Sequence, residues 1–249
     1  MASGSSALVA GVAAGVLLCL AAPAHAISLR DILGGARTYD GRVAEPPPIA
    51  RYAVEDEGSF VLDRSGPTPL LRFDGSYEIW ALKAGPAARG DIIYRNDVGQ
   101  PVLRATRLGG VTVFTPKRPS GAAAALVGAT SPLELRLPVS PGALLQVLGA
   151  DSARANRVVR HPVEFEAPEV NRASAPWVAD AANICAKAIE ARGESGEGRG
   201  GLASLKIVRV RVGAAPDARF SRGVLELVVN PDEGPAGRPS SRRIEKALR

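Results

Sequence analysis

Residues 90–115 read GDIIYRNDVGQPVLRATRLGGVTVFT and carry the strongest structural signal in the chain. Two breaks, at residues 96–99 and 109–110, consist of residues that suit tight turns, because asparagine and glycine tolerate positive φ angles. Between the breaks lie short runs rich in β-branched and aromatic residues. The pattern predicts antiparallel strands at residues 91–95, 102–108 and 111–115.

The same pattern continues toward the N-terminus. It predicts further strands at residues 51–55, 59–63, 70–74 and 77–83, separated by turns that contain glycine, proline or aspartate. Seven strands of about five residues suit a curled sheet or a partial barrel. Residues 122–128 are short and rich in small side chains, and the spacing of Pro132, Pro138 and Pro141 that follows is typical of an irregular connection.

Beyond residue 140 the apolar spacing changes to that of helices. A helix is predicted to begin at Pro141 and to end before His161, because the next residue is a proline. A second helix is predicted over residues 175–192, capped by Ser174, with Cys185 on its buried face. Short strands are predicted at residues 163–167, 205–212 and 224–230. The predicted fold class is α+β: a strand-rich antiparallel meander followed by helices and a C-terminal β-hairpin.

The chain is predicted to have four parts. Residues 1–26 have the pattern of a signal peptide, because an uncharged apolar run ends on Ala24-His25-Ala26, a small-x-small cleavage site. A retained membrane anchor is the alternative, since no basic residue precedes the run. Residues 27–48 end in three prolines and are predicted to be a linker. Residues 49–230 are predicted to form a single globular domain, with a potential division into subdomains 49–137 and 138–230, and residues 231–249 a flexible basic tail.

Removal of the leader bears on the chemistry that remains. The mature chain would keep one cysteine, Cys185, and one histidine, His161, so we expect no internal disulfide, no metal site and no cofactor. The formal net charge is +6, and a basic exported protein meets anionic envelope components before nucleic acid. Aromatic residues make up only 4% of the chain, which disfavours nucleic-acid binding. We therefore expect a periplasmic or secreted protein with no membrane span after the leader.

Charged side chains are densest in the predicted hairpin. Arg95, Arg104 and Arg107 lie there beside Asp91 and Asp97. Guanidinium groups grip phosphate or carboxylate in a forked geometry, so these residues are candidates for an anion-binding groove. The alternative is cross-strand pairing of arginine with aspartate on the solvent face of the sheet.

Hydrolysis by two carboxyl groups is a second class of function. The candidate acids are Asp63, Asp74, Glu78, Asp91 and Asp97. Each adjoins a glycine turn or alternates outward along a strand, which is typical of solvated acids. A serine-hydrolase triad is not predicted, because no G-x-S-x-G motif occurs and no acid adjoins His161.

Residues 90–115 also resemble the signature of an uncharacterised, signal-bearing bacterial family known only as a domain of unknown function. The resemblance extends from about residue 50 through DRSGPTPLLRFDGS and YEIWAL to FEAPEVN, SAPWVADAA and NPDEGPAGRPSS. It covers nearly the whole mature chain, and it implies no activity and no site residues.

From these observations the sequence predicts an exported, non-catalytic envelope module. It would bind an anionic envelope component or another envelope protein through residues 95–107. The alternative is a carboxylate-dependent hydrolase that acts on cell-wall glycans.

Overall fold

The first half of the chain forms a nine-stranded antiparallel sheet. The computed structural model describes residues 46–135, 140–195 and 199–249, so the predicted signal peptide, residues 1–26, and linker residues 27–45 lie outside the described residues. The strands are β1 (Ile49–Val54), β2 (Gly58–Asp63), β3 (Leu70–Phe73), β4 (Trp80–Ala81), β5 (Lys83–Pro86), β6 (Ile92–Arg95), β7 (Pro101–Ala105), β8 (Val111–Val113) and β9 (Ala122–Ala129). Their order in the sheet is β4-β3-β2-β1-β9-β8-β7-β6-β5.

The sheet curls until its two edges meet. β4 and β5 are the edge strands, yet only Leu82 separates them along the chain, so the polypeptide passes directly from one edge to the other. Alternate side chains of the strands point inward, and Tyr52, Phe60 and Leu103 among them are at most 1% exposed. The meander is therefore a nearly closed barrel with a filled apolar interior, as the prediction of a curled sheet or partial barrel implied.

Strand β9 completes this barrel over a small-residue segment in which the sequence predicted no strand. It pairs with β1 on one side and with β8 on the other. Alanine and glycine have little intrinsic preference for strands, so residues 122–128 carry no local strand signal. Hydrogen bonding to two neighbouring strands outweighs that weak preference.

The second half of the chain packs helices on a smaller sheet. The helices are α1 (Pro141–Val159), α2 (Ala175–Ser195), α3 (Arg199–Ser204) and α4 (Ser241–Ala247), and the strands are β10 (Glu164–Glu166), β11 (Ile207–Val212), β12 (Asp217–Ser221) and β13 (Val224–Val229). The sheet order is β10-β11-β13-β12. Helix α1 begins as predicted, with the Ser140 hydroxyl accepting from the backbone N–H of Ala143 at 3.2 Å. The α+β fold class is confirmed.

The C-terminal hairpin is built from other strands than the sequence indicated. β11 and β13, the two predicted strands, pair in parallel, and the antiparallel partner of β13 is β12. The turn between β12 and β13 places Arg222 and Gly223 at positive φ angles of 51° and 82°. β12 escaped prediction because Phe220 is its one large apolar side chain.

The C-terminal segment also differs from its prediction as a flexible tail. Residues Pro231–Gly237 form a 3-10 segment, and α4 follows. Ile244 and Leu248 are fully buried against the core formed by the other helices and the smaller sheet. Two apolar side chains four residues apart suffice to dock a helix whose other residues are mostly polar. Among the helices of the described residues, none is both long and apolar enough to span a bilayer.

Gly237 allows the C-terminal segment to return against the end of β13. A Cβ atom at Gly237 would lie 1.8 Å from the carbonyl oxygen of Asn230, whose N–H donates to the Gly237 carbonyl at 2.6 Å. We expect Gly237→Ala to lower the free energy of unfolding by about 1–3 kcal/mol in urea denaturation, since the backbone must shift to make room. Gly66→Ala is the matched control, because a Cβ there meets nothing within 4 Å. Equal losses in the two variants would contradict this account.

Candidate functional site

The arginines predicted to form an anion-binding groove do not all share one surface. Arg104 is paired with Asp91, and its Nε lies 2.8 Å from Oδ2 of that carboxylate. Arg95 lies at the far end of β6, where its Nη1 donates to the carbonyl of Gly99 at 3.1 Å. Two of the three guanidinium groups are thus held by contacts within the chain. The Asp91–Arg104 contact is the arginine–aspartate pairing that the sequence left as the alternative.

Asp97 faces the C-terminal segment and not the other predicted site residues. Its Oδ2 accepts from the N–H of Ser240 at 3.0 Å and from Nε of Arg243 at 2.9 Å.

Arg107 differs from the other members of the predicted set. Its backbone N–H donates to Asp91 at 3.3 Å, but within the described ranges its guanidinium has no hydrogen-bond or ion-pair partner.

The acids proposed for hydrolysis bind different sets of donors. Asp63 accepts from the hydroxyl of Ser65 at 2.6 Å and from the N–H of Leu133 at 3.1 Å. Asp74 binds Arg51 and Ser59, whereas Glu78 accepts from the N–H of Ser241 at 3.0 Å.

The prediction of solvated acids is wrong for three of these residues. Asp63, Glu78 and Asp91 are 5%, 9% and 7% exposed. Asp63 is the last residue of β2, and Glu78 and Asp91 precede β4 and β6. Each accepts from donors that the closing barrel removes from water, a role that alternation along one strand cannot reveal. Their contacts hold loops in place, and none of them brings two of the five candidate acids into one site.

Neither Cys185 nor His161 has the surroundings of a catalytic group. Cys185 is a free, buried thiol on α2, as predicted, and burial raises its pKa and so disfavours the reactive thiolate. The ring nitrogens of His161 lie 3.1 Å from the carbonyl oxygen of Leu202 and 3.3 Å from that of Pro162. No carboxylate therefore orients this imidazole among the contacts of the described residues.

Arg107 lines a groove at the end of the barrel where the chain enters β1. The groove encloses about 380 Å³, and we call it the mouth groove. It is lined by Pro46, Arg64, Gly90, Ile92, Ala105, Thr106, Arg107, Leu108, Gly109 and Val111. The groove brings residues of the 90–115 segment together with Arg64, which directly follows β2.

The turn between β7 and β8 shapes one wall of the mouth groove. The Thr106 N–H donates to the carbonyl of Gly110 at 2.8 Å, and the Thr106 hydroxyl accepts from the Gly110 N–H at 3.0 Å. This closed turn projects Leu108 into solvent, where 78% of it is exposed. Ile92 has the inward parity of Tyr94 on β6 but lies at the open end, and 43% of it is exposed. Two large apolar side chains therefore meet water at the mouth.

Arg64 supplies a second positive charge to the groove. Its Nη2 donates to the carbonyls of Pro46 and Pro47 at 3.1 and 3.0 Å, while its Nε is buried without a partner in the described part of the chain. No carboxylate of that part forms an ion pair with Arg64 or Arg107. The mouth groove thus holds two positive charges that no described acid neutralises.

The Tyr52 hydroxyl inside the barrel is also buried without a partner among the described residues. Burial raises its pKa, and the positive charge of Arg64 opposes that rise, which places the two groups within electrostatic reach of each other. Buried polar groups are normally hydrogen-bonded, so the Tyr52 hydroxyl and the Nε of Arg64 both keep unused hydrogen-bonding capacity.

Sequence reasoning named one of the groove's two arginines and neither of its exposed apolar residues. Leu108 was assigned to a strand, and Arg64 lies more than 40 residues away from Arg107 in the chain. The predicted strand at residues 59–63 placed Arg64 just beyond a strand end, but only closure of the barrel brings that end beside the β7–β8 turn.

One family model matches the chain. It is described as Domain of unknown function (DUF4908) and covers residues 28–248. No curated protein matches the chain, and no solved structure does.

Proposed function

We propose that this chain, which belongs to the DUF4908 family of domains of unknown function, is an exported, non-catalytic module that binds an anionic amphiphile of the cell envelope at the mouth groove. The observation that carries the proposal is the convergence of Arg64 and Arg107, which have no acidic partner among the described residues, beside the exposed Ile92 and Leu108. The envelope location rests on the leader pattern of residues 1–26.

Charge favours an anionic head group in this groove. A guanidinium donates two parallel hydrogen bonds to a phosphate or carboxylate, and a hydrogen bond to a charged group contributes about 1.5–3 kcal/mol. Arg64 is held in place by the carbonyls of Pro46 and Pro47, so little side-chain freedom is lost when an anion binds. Arg107 is exposed and adapts to the ligand.

The apolar part of the ligand has a matching surface. Ile92 and Leu108 flank the arginines, and an alkyl chain laid across them would remove apolar surface from water on both sides. The barrel interior is filled by its own side chains, so the chain of the ligand is expected to lie across the opening and not inside the barrel.

A binding role accords with the contacts of the acids better than hydrolysis does. Asp63, Asp74 and Glu78 are each engaged by donors of the chain itself, and catalysis by two carboxyl groups requires a pair that faces one substrate.

The proposal is tested by calorimetric titration with decyl phosphate below its micelle concentration. We expect Arg107→Ala to weaken binding about tenfold, and we expect the affinity of the unmodified protein to fall as salt is added. Arg172→Ala, which removes an exposed arginine from the other half of the chain, is the matched control and should leave the affinity unchanged.

Two further measurements separate head group from tail. Leu108→Ser should weaken decyl phosphate and leave inorganic phosphate unaffected, whereas Arg107→Ala should weaken both. Decyl phosphate that does not bind, or that binds with an affinity indifferent to both salt and Arg107→Ala, would overturn the proposed function.

A further inference from the structure

A second groove lies on the outer wall of the barrel. It encloses about 690 Å³ between the strands β1–β3 and the segment that follows β9, and we call it the wall groove. It is lined by Arg51, Val61, Arg72, Ser76, Tyr77, Ile79, Thr130, Ser131, Pro132, Glu134 and Leu135. It shares no lining residue with the mouth groove.

The register of the sheet sets two arginines on either side of the floor of this groove. Arg51 pairs with Val61 across β1 and β2, and Val61 pairs with Arg72 across β2 and β3. The three residues therefore form one row on one face, with the arginine backbones about 10 Å apart at ordinary strand spacing. Val61 is 2% exposed and forms the apolar base between the two guanidinium groups.

The two arginines differ in how their charge is used. Arg51 is paired with Asp74, and both contact the Ser59 hydroxyl. The guanidinium of Arg72 has no hydrogen-bond or ion-pair partner in the ranges that the structure describes. Arg72 is only partly exposed, so a half-buried positive charge is left to be matched by a ligand.

The remaining walls are aromatic and polar. Tyr77 is 44% exposed, and the Nζ of Lys187 lies 4.1 Å from the centroid of its ring, which holds the ring in place. Thr130 and Ser131 contribute hydroxyl groups, and Glu134 contributes an exposed carboxylate. The groove thus offers one unpaired cation, one acceptor, several hydroxyls and one aromatic ring.

We propose that the wall groove binds an acidic saccharide, a sugar chain whose units carry carboxylates. Arg72 would grip a carboxylate in a forked geometry, Glu134 and the hydroxyls would bond sugar hydroxyls, and the Tyr77 ring would pack against the apolar C–H face of a sugar ring. Because Glu134 repels dense negative charge, the combination suits a sugar with spaced carboxylates better than a phosphate polymer.

A peptide fits the groove less well. β2 forms hydrogen bonds with β1 and β3 on both sides, so its backbone offers no free edge to an extended chain. A peptide would have to rely on side-chain contacts alone, and an acidic peptide is therefore the comparison ligand for the test.

The test is a titration with trigalacturonate followed by NMR, on the full chain. We expect Arg72→Ala to weaken binding about tenfold and Tyr77→Ala to weaken it several-fold, whereas Tyr77→Phe should retain binding because the ring is kept. Arg222→Ala, an exposed arginine of the second half, is the matched control. The neutral sugar maltotriose should bind at least tenfold more weakly than trigalacturonate.

Three results would overturn this inference: no binding of trigalacturonate at millimolar concentration, an affinity unchanged by Arg72→Ala, or equal binding of a hexaglutamate peptide. Arg107→Ala should leave the trigalacturonate affinity unchanged, and Arg72→Ala should leave that of decyl phosphate unchanged. The failure of one site is thereby distinguished from the failure of the other.

Discussion

Arg238→Ala is expected to lower the free energy of unfolding by about 3–5 kcal/mol. The Arg238 side chain is 1% exposed and forms an ion pair with Asp180, which is equally buried. Its Nη2 donates to the carbonyl of Ile79 at 2.8 Å, and its Nη1 lies 4.0 Å from Oε1 of Glu78. Loss of the guanidinium leaves two buried carboxyl groups without their cation.

The magnitude of the expected loss of stability follows from the electrostatics of these carboxyl groups. Burial raises the pKa of both Asp180 and Glu78, and the charge of Arg238 opposes that rise. Without Arg238 each acid must either remain charged in an apolar setting or take up a proton at neutral pH. Either outcome raises the free energy of the folded state but not that of the unfolded chain, so the protein is destabilised.

Urea denaturation at pH 7 measures the effect. Arg219→Ala is the matched control, because Arg219 is paired with Asp217 but its side chain is 84% exposed, and such a pair contributes at most about 1 kcal/mol. Arg238→Ala with Asp180→Asn should recover part of the loss, since one uncompensated charge is removed. A loss no greater than that of the Arg219 control would show that the buried ion pair does not hold this segment.

These contacts explain why the C-terminal segment is ordered. Arg238 joins helix α2 to the loop before β4, and Ser240 and Arg243 both bind Asp97 in the β6–β7 turn. The segment therefore connects the barrel to the helices through buried and half-buried charges. Arg238→Ala is expected to loosen this connection as well as to lower global stability.

Asp151→Asn is expected to stabilise the protein at pH 8 and to have little effect at pH 4. Asp151 is 1% exposed, its Oδ1 lies 3.3 Å from Nη1 of Arg154, and its Oδ2 is buried without a partner among the described residues. Burial raises its pKa from 3.8 to about 6.

The direction of the pH dependence follows from that rise. A carboxyl group with a higher pKa in the folded state binds its proton more tightly there, so it favours folding below about pH 4. This contribution is lost as the pH increases from about 4 to about 6, and the ionised group then costs about 3 kcal/mol. Asparagine carries no charge at either pH, so the variant avoids that cost.

Urea denaturation of both proteins at pH 4 and pH 8 tests the prediction. Arg154 keeps its second partner, Glu190, at 2.7 Å, so the substitution does not leave it unpaired. Glu190→Gln is the matched control with the opposite sign: Arg154 lowers the pKa of Glu190, so removal of that acid should cost stability at pH 8 and little at low pH. A stability difference for Asp151→Asn that is the same at both pH values would contradict the assignment.

Particular elements show how far the fold followed from local pattern. The turns at residues 96–99 and 109–110 predicted the strands β6, β7 and β8, and the 3.6-residue spacing of apolar residues predicted the helices α1 and α2. β9 gave no such signal because alanine is a poor strand former, and β12 gave little because it has one large apolar residue. Both are held by pairing with neighbouring strands.

The candidate site divides in the same way. The charge density of the hairpin predicted Arg107 as one of five candidate residues. The other four, Arg95, Arg104, Asp91 and Asp97, bind partners in the chain. Which charged side chain remains unpaired depends on residues distant along the chain, such as Arg243, which forms an ion pair with Asp97.

The order of residues along the chain was sufficient for the α+β class, most of the strands, both long helices and the burial of Cys185, because turns, caps and periodicity act over a few neighbouring residues. The tertiary structure alone decided three features: closure of the barrel through Leu82, docking of the C-terminal helix, and the position of Arg64, Arg72 and Arg107 in grooves. These features arise from contacts between residues that lie tens to more than a hundred positions apart. Such contacts form only when surfaces meet in the folded state, so no local pattern encodes them.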